Sequence, residues 1–356
     1  MILNAYNNEI YTYPFWQGNT IYHESIMFIT EKGEAPKAKL LFCPEEIITV
    51  RSSDLKTEYK EGRDYILSGN EITVPEGSCI PIINKQELYC EEKSFPSRDK
   101  ERYYAYLGGS KLLTKQVAVT YHHKDNWQGY VPKFSGELLP RVTKKLTKGE
   151  NVKITFVGDS ITAMGDISGT VGIEPFMPKY PDMLREKLEN VCGCEIEMKN
   201  FAIGGTVSHD FFANETVCNS AVNSQPDLLV IAYGMNDGSG WGVKPTDFAN
   251  NIKKIADFVC EKNPECEIIA VSTLVPNTDA CWADGNPIYG YQDKYEEELL
   301  KMEKQGFAVA RMTSVYKYLK EKKDFYSMTG NGINHPNDFV VRAYAQTLFA
   351  MLVNND

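Results

Sequence analysis

The chain has 356 residues, a formal net charge of −10, 42% hydrophobic residues and 24% charged residues. This composition is that of a globular protein long enough for two domains of about 100–200 residues each. An acidic total argues against nucleic acid and anionic membranes as partners, and no stretch approaches the roughly 20 apolar residues of a membrane span.

The opening residues, MILNAYNNEIYTYPFW, lack a basic start followed by an apolar run. The reading is no signal peptide and a cytoplasmic location. Nine cysteines are scattered through the chain, an odd number with no CxxC pair. Reduced, mostly buried thiols fit better than a disulfide framework or a structural zinc site, and Cys192-Gly-Cys194 has no second pair to complete a metal site.

In chain order, the first part reads as β-rich. Residues 21–29, 39–42 and 47–51 are short runs with β-branched or aromatic side chains. Residues 64–67 and 71–74 flank Ser68-Gly69-Asn70, a hairpin turn, and 116–122 alternate like another strand. With no long helical period before residue 150, two packed sheets are expected: an all-β, jelly-roll-like sandwich over residues 1–140. Residues 133–150 are polar and basic with Gly and Pro, and read as a connector crossing the surface.

A different texture begins near residue 150 and runs to 356. The apolar runs 152–157, 228–233, 268–274 and 307–310 read as buried strands. Between them Tyr180, Met183, Leu184, Leu188 and Val191 recur at helical spacing. So do Phe248, Ile252, Ile255, Ala256 and Val259, after Pro245 and a possible cap at Thr246. Val340, Ala343, Tyr344, Leu348, Met351 and Leu352 predict a closing helix entered through Asn337 or Asp338. Continuous apolar strands alternating with amphipathic helices predict an α/β domain whose parallel sheet is covered on both faces. Ligands of such folds gather at the carboxyl ends of the strands.

Four segments with chemical potential fall there. Gly158-Asp159-Ser160-Ile161-Thr162 turns out of a strand and can expose the Ser160 hydroxyl, although the same pattern is also a plain helix cap. It is not the GxSxG elbow, because Thr162 stands where that motif needs Gly. Asn200-Phe201-Ala202-Ile203-Gly204-Gly205-Thr206 can bring backbone N–H groups close to a ligand, or simply make a tight turn. Gly234-Met235-Asn236-Asp237 offers the Asn236 amide as a donor, or closes an Asx turn. Gly332-Ile333-Asn334-His335-Pro336 holds a histidine rigidly before the last helix, as a general base requires, although a lone loop histidine is also a common surface residue.

In order and spacing, these four segments resemble the blocks of the SGNH (GDSL-like) hydrolase superfamily over about residues 150–356. The resemblance implies a three-layer α/β/α catalytic domain with Ser160 as nucleophile and His335 as its base. It also implies an oxyanion hole made by the N–H groups of Ser160 and Gly205 and the side chain of Asn236. It implies neither a metal nor an organic cofactor. The superfamily usually places Asp three residues before the histidine, and here that position is Gly332. Three replacements are open: a backbone carbonyl, giving a Ser–His dyad; the side-chain oxygen of Asn331; or a carboxylate from elsewhere, such as Asp338 or the first domain. The dyad and Asn331 are the favoured two.

Among other residues, His209 is the second choice of base, and Trp241 and Trp282 could stack on a sugar ring. His122 and His123 read as a strand end. The expected activity is hydrolysis of short acyl esters, acetyl above all, on a carbohydrate or similar polyol. A small-molecule or oligosaccharide ester is the expected partner. A lysophospholipase or thioesterase is the alternative within the class, and an inactive glycan-binding protein on the same fold is the alternative outside it.

Overall fold

A computed structural model describes residues 3–31, 33–90 and 94–354. The first half carries β1 (Thr20–Thr30), β2 (Lys37–Lys39), β3 (Pro44–Ser52), β4 (Glu58–Tyr59), β5 (Ile66–Ser68), β6 (Glu71–Thr73) and β7 (Ile82–Asn84). A two-stranded piece, β8 (Phe95–Pro96) and β9 (Tyr103–Tyr104), and then β10 (Gln116–His123) complete it. The strand order is β4-β3-β10-β1-β2-β6-β5, with β7 beside β1. β1 makes this a sandwich-like sheet. Its first part, Thr20 to Met27, pairs with β10, while its end, Phe28 to Thr30, pairs with β7 and β2. One strand thus serves two layers. A bulge between Ile21 and Glu24, with His23 at φ +45°, bends it. The expected hairpin is present as β5–β6 across Gly69, which has φ +60°.

The second half is a parallel sheet of five strands: β11 (Val152–Gly158), β12 (Ile196–Asn200), β13 (Leu228–Ala232), β14 (Glu267–Val271) and β15 (Phe307–Ala310), in the order β12-β11-β13-β14-β15. Successive strand residues point to opposite faces, so alternate positions feed two cores. Ile154, Phe156, Leu228, Val230, Ile269 and Ala308 face the helices Tyr180–Cys192, Met312–Lys322 and Asp338–Leu352. Val157, Leu229, Ile231, Ile268 and Val309 face Pro245–Lys262 and its neighbours. This is the three-layer α/β/α arrangement.

The connector does not match its reading. Pro140–Thr147 is a helix with Pro140 in its first turn, and Val142 and Leu146 are buried. Its lysines and threonines masked an i, i+4 apolar pair. Glu267 accepts the N–H groups of Arg141 and Val142 and so binds this helix to the start of β14. Helix Pro245–Lys262 has Pro245 at its first position, and Thr246 makes no cap.

The two halves share one hydrophobic core. Phe15 stacks on Phe339 of the last helix at 4.4 Å. The fully buried Arg342 donates to the carbonyls of Tyr11 and Tyr22. Lys323 pairs with Glu24 where neither side chain reaches solvent. Asn337 caps the last helix and also donates to Ser25 and Gln116 of the β-rich half. Among the described residues, no helix is long and apolar enough to cross a membrane.

Candidate active site

The order β12-β11-β13 sets three of the four segments side by side, because each follows the carboxyl end of one of these adjacent strands. β11 lies between neighbours reached by opposite turns of the chain, the switch point where open α/β sheets bind ligands. Gly158 ends β11 because a Cβ there would lie 2.4 Å from the Ala232 carbonyl oxygen. Asp159 then caps a single helical turn, Ser160–Ala163, through the Ile161 N–H, and its second oxygen accepts the Met235 N–H. This side chain is fully buried and ties the Ser160 turn to the Asn236 turn. Burial pushes its carboxyl up to about 7 against the pull of those two N–H groups.

Ser160 Oγ lies 2.7 Å from His335 Nε2. Gly205, at φ +79°, follows β12, in a turn where Ile203 N–H donates to the Gly158 carbonyl. A Cβ on Gly204 would lie 3.7 Å from the Ser160 Cβ, so this turn runs against Ser160. Among the described residues, neither the Ser160 nor the Gly205 N–H has a protein acceptor. Asn236 is buried, and its Nδ2 donates to the Thr206 carbonyl at 2.8 Å, which leaves that amide a second hydrogen. Its neighbour Asp237 accepts the N–H and hydroxyl of Ser208 and fixes the loop from beneath. These three donors could converge on one oxygen.

His335 differs from expectation in what orients it. Its Nδ1 lies 2.7 Å from Oδ2 of Asp166, a residue that follows Ser160 by one short turn. Neither a backbone carbonyl nor Asn331 takes that place. Asn331 Oδ1 accepts the N–H groups of Ile333, Asn334 and His335, so it shapes the loop and does not reach the ring. Asp338 is also elsewhere, accepting the Ser168 N–H. Asp166 further accepts the Gly109 N–H at 3.1 Å and the Tyr106 hydroxyl at 3.3 Å. Burial pushes its carboxyl up, but the hydrogen bond and charge of His335, together with the Gly109 N–H and the Asn331 side chain, hold it below the usual carboxylate range. No sequence pattern marks Met164-Gly165-Asp166-Ile167, an irregular stretch between two short helices. The vacant Gly332 was the only signal that a carboxylate had to come from another place.

The remaining candidates lie apart from this chain of contacts. His209 faces Asp210 at 3.8 Å and packs edge-on against Trp241 at 6.2 Å. Trp241 is 64% exposed. Trp282 crosses Gly240, where a Cβ would lie 3.0 Å from its ring, and neighbours Phe95, which in turn neighbours Tyr106. His122 bonds Thr20, and His123 bonds the Asp125 carbonyl, both within the β-rich half. Cys194 is buried, and Gly193 between it and Cys192 is a left-handed helix cap.

The family model of the GDSL-like lipase/acylhydrolase family matches residues 156–340. No curated protein matches the chain. Among solved structures, similarity extends to a lipase/acylhydrolase from Enterococcus faecalis, with 16% identity over 56% of this chain and 93% of that one, TM-score 0.40. A carbohydrate esterase of family 3 from Talaromyces cellulolyticus has 12% identity over 56% and 94%, TM-score 0.41. A two-domain esterase active on acetylated mannans has 18% identity over 62% and 54%, TM-score 0.42.

Proposed function

The chain belongs to the GDSL-like lipase/acylhydrolase family, and from that premise we propose that it is a serine esterase cleaving short acyl groups, acetyl foremost, from a carbohydrate or similar polyol. The observation that carries the reading is the continuous Ser160–His335–Asp166 relay, with both links at 2.7 Å. Asp166 keeps the proton of His335 on Nδ1, so Nε2 is free to accept. As Ser160 Oγ attacks the ester carbonyl, its proton passes to Nε2. Negative charge then builds on the former carbonyl oxygen and is met by the N–H groups of Ser160 and Gly205 and by Asn236 Nδ2. Collapse breaks the bond to the leaving alcohol, which takes the proton from His335. A water deprotonated by the same ring then hydrolyses the acyl-serine.

Three features support a small acyl group on a polar alcohol. The turns after β11 and β13 are rich in Gly, Asn, Asp and Ser, and the one after β12 carries Gly204, Gly205 and Thr206 beside Ile203. Rings of Tyr106, Phe95 and Trp282 follow one another from Asp166 toward Gly240, and aromatic faces suit sugar rings. Trp241 stands largely exposed on the loop that follows Asn236. A histidine left without a carboxylate would favour the inactive glycan-binding alternative, and Asp166 beside His335 argues against it.

Hydrolysis of 4-nitrophenyl acetate tests the reading. The natural protein should turn it over, and Ser160→Ala should lose more than about a thousandfold with its fold intact. A phosphonate inhibitor should label Ser160. Near-native activity in the alanine variant, or labelling of another serine, would overturn it.

A further inference from the structure

Asp166 sits in irregular chain after Gly165, which has φ +58°, so no helix or strand fixes its direction. Its backbone packs against Gly330 of the histidine loop, where a Cβ would lie 2.9 Å from the Asp166 Cβ, and two donors to its carboxylate come from the other half of the protein. Gly109 N–H donates to Oδ1 and the Tyr106 hydroxyl to Oδ2, the oxygen that faces His335. The same stretch reaches the histidine loop: Leu107 N–H donates to the Asn331 carbonyl at 3.0 Å. Residues 106–109 therefore touch the carriers of both the acid and the base of the relay.

We propose that this stretch of the β-rich half is a positioning element of the catalytic site, with the Tyr106 hydroxyl as the donor that holds Asp166 toward His335. The proposal rests on the esterase reading and assigns a role in that chemistry to the first half of the chain.

The geometry explains why two donors are used. A carboxylate held only through Oδ2 can turn about its own axis and tilt away from the imidazole. A second donor on Oδ1 fixes its plane, and a donor beside His335 on Oδ2 fixes its tilt. Gly109 can present its N–H because it has φ +69°, a conformation that favours glycine, immediately before the short helix Ser110–Leu113. Burial, then the nearby Asp166, raises the Tyr106 hydroxyl above its ordinary value, so it remains a donor at neutral pH. The frame behind it is anchored: the Gln116 side chain donates to the carbonyls of Tyr326 and Thr329, just ahead of the histidine loop. Gly332 borders the same segment, and its own positive φ is what favours glycine there. That residue has φ +80°, and a Cβ there would face the Ala105 carbonyl and Leu107 of this same stretch.

Tyr106→Phe tests the proposal, because it removes the hydroxyl and keeps the ring. On 4-nitrophenyl acetate, kcat should fall roughly five- to tenfold with KM unchanged. Proton NMR of the natural protein should show the far-downfield signal of the His335 Nδ1–H shared with Asp166, absent in Asp166→Asn. In Tyr106→Phe that signal should shift or broaden. A Phe variant with full kcat and an unmoved signal overturns the proposal. So does a loss seen in Tyr106→Leu and not in Tyr106→Phe, which would assign the effect to ring packing. If the natural protein hydrolyses no ester, the esterase reading fails, while the NMR signal still reports whether Tyr106 positions Asp166.

Discussion

Asp166 Oδ2 and His335 Nδ1 lie 2.7 Å apart although 169 residues separate them in the chain. This contact supplies the carboxylate that Gly332 does not, and it implies a large catalytic effect. Asp166→Asn should lower kcat by roughly 10³–10⁴-fold with little change in KM, because the imidazole can then settle in the wrong tautomer. Adding Gly332→Asp to that variant should restore nothing. Position 332 has φ +80°, and its Cβ direction leads toward Tyr326, Ala105 and Leu107. Steady-state kinetics on an acetate ester checks both variants. Recovery in the double variant would mean that the loop can adopt the usual relay after all.

The Ser160 and His335 segments were legible because each couples a distinctive residue type to a strand end or helix start, and both are local patterns. Asp166 was not legible, because its role depends on where the chain travels after a six-residue excursion. Asn331 was misjudged for a related reason. Its spacing to His335 suits an orienter, but its side chain is drawn to three nearby backbone N–H groups. The alternation of strand and helix revealed the parallel sheet. The union of the two halves was hidden, since no local pattern marks Arg342, Lys323 and Glu24 as the buried charges that join them.

Asp338 gives a prediction in pH. Complete burial pushes its carboxyl from an ordinary 3.8 to about 6, against the pull of the Ser168 contact. The folded protein therefore binds a proton that the unfolded chain has released between these values. The Asp338 contribution to stability is present below about pH 4 and is lost as pH rises to about 6. Asp338→Asn keeps the acceptor for Ser168 and carries no charge. Relative to the natural protein it should gain up to about 3 kcal/mol between pH 4 and pH 7. Its turnover should be nearly unchanged, because Asp338 does not reach His335. Urea unfolding at the two pH values reads the difference, and an equal offset at both would refute the assignment.

The polar turns around Ser160 predict the order of substrates. Each added methylene brings about 0.8 kcal/mol only where it is buried. Apart from Met164, which is half exposed and lies against Gly204, and the exposed Ile203, these turns present little aliphatic surface. Values of kcat/KM should therefore fall from acetate through butyrate to octanoate. Acetylated xylo- or manno-oligosaccharides should be better substrates than simple alkyl acetates, and Trp241→Ala should narrow that advantage. Activity that rises with chain length would favour the lysophospholipase or thioesterase alternative.

The shared core leads to a last prediction about the first half. Glu24 sits in β1 and Lys323 just after the helix Met312–Lys322, and both side chains are fully buried. Glu24 also accepts the Leu41 N–H and the Tyr121 hydroxyl, so it is the hub of a buried polar network. Removing one member of a buried pair leaves the other charge unpaired in the core, at a cost of about 3–5 kcal/mol. Lys323→Met should therefore destabilise strongly. Lys323→Met combined with Glu24→Gln should recover much of the loss, giving a coupling energy in a double-mutant cycle. By the same reasoning, a chain beginning near Lys148 should not fold cooperatively. It would leave Lys323 without Glu24, and Arg342 without the carbonyls of Tyr11 and Tyr22. It would also expose Phe339, which now stacks on Phe15. Calorimetry of the shortened chain decides the matter: a sharp transition together with full esterase activity would show that the catalytic half stands alone and that residues 106–109 are dispensable to it.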